Sequence, residues 1–86
     1  MKVKYFKDTL ARDKESYFIV KTINENTTEV IHSHGEFIKD TSNNSKPIWG
    51  VGTIHPLDQA LADVGGIHII EEMTEEQIKN WWIHDI

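Results

Sequence analysis

The segment Tyr17-Phe18-Ile19-Val20-Lys21-Thr22-Ile23 is apolar on both of its faces at the start and rich in β-branched and aromatic residues. Such a run fits a central strand covered on both sides, because alternate side chains leave a strand on opposite faces and both sets here shun water. A sheet must therefore lie at the middle of the fold. Asn24-Glu25-Asn26-Thr27 supplies turn chemistry, and Thr28 to His34 supplies a second β-branched run, so a hairpin is expected from Tyr17 to His34.

Around that hairpin the reading is less regular. Lys2-Val3-Lys4-Tyr5-Phe6 alternates as a first strand, with lysines on the outer face in the manner of a protected edge. The polar Asp8–Ser16 segment reads as a loop or one helical turn. Gly35 ends or bulges the hairpin's second strand, Phe37 and Ile38 are expected to resume it, and Lys39 to Lys46 lacks apolar residues and reads as an exposed mobile loop. Leu57, Ala60, Leu61 and Val64 fall at helical spacing behind Pro56 and before Gly65-Gly66, which predicts a helix over about 56–64. Ile67 to Glu71 is a short strand. Thr74 and Gln77 form a capping box, with Met73 and Ile78 at the positions of a hydrophobic staple, and announce a last helix. The expected fold is α+β: a small antiparallel sheet of three to five strands with two C-terminal helices packed on one face, in a single domain over residues 1–86.

Composition narrows the chemistry. With no cysteine, neither a disulfide nor a thiolate metal site can help hold an 86-residue chain together, which leaves a partner or a histidine-bound metal. The N-terminus lacks the apolar core of a signal peptide and no window is long and apolar enough for a membrane span, so a cytoplasmic protein with no membrane association is expected. Isoleucine outnumbers leucine 12 to 3 and lysine outnumbers arginine 8 to 1. That bias belongs to AT-rich coding, as in a low-GC bacterium, its phages or its plasmids. The net charge of −5 lies entirely in the second half, where Lys46 and Lys79 face seven acidic side chains, and this argues against nucleic acid as a partner.

Candidate metal ligands stand in Val30-Ile31-His32-Ser33-His34-Gly35-Glu36. In an extended strand His32 and His34 project from one face about 7 Å apart, with Val30 beside them, and Glu36 offers an oxygen. A divalent transition metal held by these three is the alternative reading, structural or hydrolytic. Trp49-Gly50-Val51-Gly52 has only part of a nucleotide-binding glycine pattern and reads better as a bend beside a packed tryptophan. No serine sits in a nucleophile elbow, and the Glu71-Glu72 and Glu75-Glu76 pairs suit capping and solubility, so no enzyme activity and no cofactor are expected.

The C-terminal Trp81-Trp82-Ile83-His84-Asp85-Ile86 is apolar over a wide arc of its helix. Two adjacent indoles cannot both point into one core, and tryptophan is enriched where partners meet. The expected function is that of a non-catalytic macromolecule-binding protein, such as a small inhibitor or accessory factor of a phage or plasmid. Its surface would comprise Glu71, Glu72, Glu75, Glu76, Trp82, Ile83 and Ile86 and would suit a protein with a basic surface, with a homodimer as a further expectation.

Overall fold

A computed structural model describes residues 3–39, 48–62 and 64–85, of which 39, 64 and 81–85 are described by their backbone alone. Its frame is one five-stranded antiparallel sheet. In chain order the elements are β1 (Tyr5–Leu10), β2 (Asp13–Thr22), β3 (Thr27–His34), a single helical turn α1 (Glu36–Lys39), β4 (Ile54–Pro56), α2 (Leu57–Ala60), a 3-10 turn at Val64–Gly66, β5 (His68–Met73) and α3 (Glu75–Asp85). The spatial order is β4-β3-β2-β1-β5, so the strand with the most apolar sequence is the central one, as expected.

The predicted hairpin is present, and its turn is closed by a bond from the Ile23 N–H to the Thr27 carbonyl and by the Asn24 side chain accepting from the Asn26 N–H. The predicted loop at Asp8–Ser16 is not. β1 runs on to Leu10, Ala11 and Arg12 make a two-residue turn, and β2 begins at Asp13. Polarity had hidden the period of two: Phe6, Asp8 and Leu10 all face one side, and Asp8 is only 3% exposed because His68 satisfies its carboxylate there. Phe37 and Ile38 do not resume a strand either. They lie in α1, whose turn is closed by the Ile38 N–H on the Gly35 carbonyl.

One face of the sheet carries the main core: Leu10, Phe18 and Val20 from β1 and β2, Val30 from β3, Phe37 from α1 and Ala60 from α2, with Phe6 and Trp49 packed against it. Phe18 organises it, stacked on Trp49 at 4.4 Å and meeting Phe37 edge to face at 4.8 Å. On the opposite face Ile19 is fully buried; Ile78 of α3 is buried apart from the main core.

The helix expected over 56–64 is shorter than its pattern. α2 stops at Ala60, and Leu61 leaves the helical region at φ −102° and ψ 8°. Of the stripe Leu57, Ala60 and Leu61, only Ala60 reaches the core, so the packing that normally sustains an amphipathic helix ends there. The last helix starts where its sequence announces it. Thr74 Oγ1 accepts from the Gln77 N–H at 3.1 Å, and Gln77 Oε1 accepts from the Thr74 N–H at 2.8 Å, which is the reciprocal capping box. The segment predicted as a mobile loop lies, apart from Lys39, outside the described residues.

Candidate functional site

The acidic residues expected to form a surface fall on two successive elements. Glu71 and Glu72 lie in β5, and Glu75 and Glu76 in the first turn of α3, two residues after that strand ends. All four are exposed, and none makes an ion pair among the described residues. Glu71 and Glu72 leave β5 on opposite faces, as neighbours in a strand must, while Glu75 and Glu76 favour the positive end of the α3 dipole. Trp82 and Ile83 belong to the backbone of α3, their side chains lie outside what is described, and Ile86 lies outside the described residues altogether.

His32 and His34 share one face, as their spacing in an extended strand predicts, but the neighbour expected beside them does not. Ile19 pairs with His32 while Val20 pairs with Val30, so Ile31 is an extra residue in β3, a bulge that reverses the alternation. Val30, expected beside the histidines, is instead buried in the core on the other side, and Ser33 turns inward with it. Between the two imidazoles stands Tyr17, stacked on His32 at 5.4 Å and on His34 at 5.6 Å, with the Lys7 ammonium 4.7 Å over its ring. His34 donates from Nδ1 to the Glu15 carbonyl at 2.6 Å. Glu36 points its carboxylate at Arg12, 2.6 Å away. The three expected ligands are therefore engaged separately, and among the described residues no three His, Asp or Glu side chains gather closely enough to hold a metal ion.

Gly35 has a structural task in this stretch. Its φ is +68°, and its missing side chain lets the chain pass directly over Ser16. Ser16 is fully buried, donating to Asp13 Oδ2 at 2.7 Å and accepting from the Glu36 N–H at 2.9 Å. That hydroxyl ties the start of β2 to the start of α1. The Ser16 hydroxyl and the Glu15 N–H hold the Asp13 carboxyl below its ordinary value.

Two other histidines are held by specific contacts. His68 donates from Nδ1 to Asp8 Oδ1 at 2.7 Å across the β1/β5 pair, a contact sixty residues long in sequence for which no local spacing gives a signal. An imidazole oriented by a buried carboxylate is half of a general-base arrangement, while a surface depression of about 480 Å³, lined by Asn26, Pro56, Leu57, Asp58 and Leu61, lies by β4 at the other edge of the sheet. His55 stacks on Trp49 at 3.9 Å and donates from Nε2 to the Ile48 carbonyl at 2.9 Å, with the Thr53 hydroxyl oxygen 3.0 Å away. Together these pin the 48–53 segment onto the sheet.

Burial lowers the His55 pKa below its ordinary 6.5, outweighing the carbonyl bond that acts the other way. Because the folded protein holds this proton less readily than the unfolded chain, its contribution to stability is complete above pH 6.5 and is lost as pH falls through the depressed folded value. Stability measured by urea titration is expected to decline on acidification below 6.5, and His55→Phe, which keeps a ring on Trp49, is expected to flatten that part of the profile. An unaltered profile in the variant would assign the decline to another group.

No family model matches the chain, and no curated protein or solved structure is significantly similar to it. No helix among the described residues is long and apolar enough to cross a membrane.

Proposed function

We propose that the protein is a non-catalytic binding module whose acidic β5–α3 surface engages a macromolecular partner with a basic surface, occluding or bridging it. The observation that supports this reading is the run of Glu71, Glu72, Glu75 and Glu76: four carboxylates close together in the chain, all exposed, and none in an ion pair among the described residues. Two other glutamates are paired, Glu36 of α1 with Arg12 and Glu29 of β3 with Lys21. The lysine that stands opposite Glu71 in the β1/β5 register, Lys7, is directed instead onto the Tyr17 ring. An unneutralised surface of one sign steers an oppositely charged partner and repels phosphate-bearing ones.

Trp82, Ile83 and Ile86 are the apolar residues proposed to flank this surface, on the strength of their place in the sequence after Glu76. A phage- or plasmid-borne inhibitor or accessory factor acting inside a low-GC bacterium fits the charge pattern and the AT-rich residue usage. The test is capture from the lysate of such a bacterium. A partner is expected to be retained at low salt and released near about 1 M, where the screening length falls to about 3 Å. It is expected to be lost with the combined variant Glu71→Gln, Glu72→Gln, Glu75→Gln and Glu76→Gln, and weakened by Trp82→Ala. Capture that ignores salt and survives the four-glutamine variant would overturn the acidic surface as the binding site.

A further inference from the structure

β5 closes one end of the sheet. The Ala11 N–H bonds to the Ile67 carbonyl, and this sets the phase of the β1/β5 ladder: Ile69, Glu71 and Met73 direct their main-chain groups toward β1, so Ile70 and Glu72 direct theirs away from the sheet. The far side of β1 agrees. The Thr22 N–H bonds to the Lys4 carbonyl, which commits the even-numbered residues of β1 to β2 and leaves the odd-numbered ones for β5. Among the described residues no strand lies beyond β5.

We propose that β5 takes up an extended peptide segment carrying lysine or arginine, adding it as a further strand of the sheet. This rests on the acidic-surface reading above and names the form of partner that the surface recognises. Main-chain groups of Ile70 and Glu72 supply the ladder, as in other cases of strand addition. Glu71 and Glu72, one on each face, select basic side chains on both faces of the incoming strand, and Glu75 and Glu76 extend the same field past the strand's end. The sheet already uses this pairing, with Lys21 and Glu29 directly opposite each other at 3.8 Å. A second copy of the chain is the less suited occupant. Self-pairing of β5 would press both copies' Glu71, Glu72, Glu75 and Glu76 together, and glutamates on an exposed edge are a known deterrent to such pairing.

The probe is a synthetic peptide of about ten residues, the length of an ordinary strand, in which pairs of lysines alternate with pairs of valines so that lysine leaves the strand on both faces. With the peptide at saturation, amide hydrogen exchange at Ile70 and Glu72 is expected to slow by roughly tenfold or more. The same peptide N-methylated along one edge, which keeps its charge but removes its ladder donors, is expected to bind at least about tenfold more weakly. Glu72→Pro, which deletes an outward N–H at an edge position where proline is tolerated, is expected to abolish protection, whereas Glu72→Gln retains it at reduced affinity. Equal binding of the N-methylated peptide would overturn strand addition and leave a side-chain-only acidic surface. Sedimentation showing a dimer broken by Glu72→Pro would overturn it in favour of a second copy. Failure of both peptides at low salt also overturns it, while the acidic-surface reading stands or falls separately on the four-glutamine variant in the lysate capture.

Discussion

Gly35→Ala is expected to destabilise the protein by roughly 3 kcal/mol or more, enough to leave much of so small a domain unfolded. A Cβ at that position would run into Ser16 Oγ and lie 2.7 Å from Ser16 Cα and 2.8 Å from the Glu15 carbonyl oxygen. Two of those three obstacles are backbone, so a rotamer change cannot relieve them. The φ of +68° adds about 1–2 kcal/mol of its own for a residue with a side chain. Relief would require β2 and α1 to separate, which would break the bond from the Glu36 N–H to Ser16 Oγ. Gly52→Ala provides the comparison. Its φ is +91°, yet nothing lies within 4 Å of the added carbon, so only the backbone term applies and the loss is expected to stay near about 1–2 kcal/mol. Urea unfolding of the two variants side by side measures the steric contribution as their difference, and equal losses would show that Ser16 does not constrain Gly35.

Phe18→Ala is the other large effect, expected at about 3–5 kcal/mol with a melting temperature lower by roughly 15–30 °C. Phe18 is 2% exposed, and its ring supports Trp49 on one side and Phe37 on another. The cavity would therefore loosen two segments that reach the sheet by different routes: the 48–53 segment through Trp49 and α1 through Phe37. Ile19→Ala, the next residue and fully buried, removes its surface from the opposite face. It is expected to cost a comparable amount, about 2–5 kcal/mol, without disturbing the environment of Trp49. Near-ultraviolet circular dichroism below the melting temperature separates the two, with the larger loss of ordered aromatic signal in Phe18→Ala. If both variants perturb the aromatic signal alike, the two faces of the sheet are not independent cores.

Neither substitution touches Glu71, Glu72, Glu75 or Glu76, and this bears on how binding is interpreted. β5 is held to β1 by main-chain bonds and by the Asp8–His68 contact, so a destabilised core acts on the acidic surface only through the fraction of chain that remains folded. Binding that falls in proportion to the folded fraction is the expected result for both variants, and a disproportionate fall would mean that the core face itself takes part.

Much of the frame could be read locally. The Tyr17–Ile23 run, the Asn24–Thr27 turn and the Thr74/Gln77 box each specify their element through contacts made within a few residues, and each is found where the residues predict it. Three things were settled only by distant contacts. Asp8–Ser16 forms the facing ends of β1 and β2, joined by the Ala11–Arg12 turn, because His68, sixty residues on, and Glu36 satisfy polar groups that in isolation belong to a loop. The bulge at Ile31 decides which face His32 and His34 occupy, and no residue type there announces it. The position of β5 at the sheet's edge follows from its pairing with β1 alone, although more than fifty residues separate them. The chain alone thus determined the central strand, the turn after it and the start of the last helix, because those preferences are set within one or two turns of backbone. Only the tertiary structure decided which polar groups are buried, which way the histidines face and which strand is left at the margin, because each depends on partners that folding brings from elsewhere in the chain.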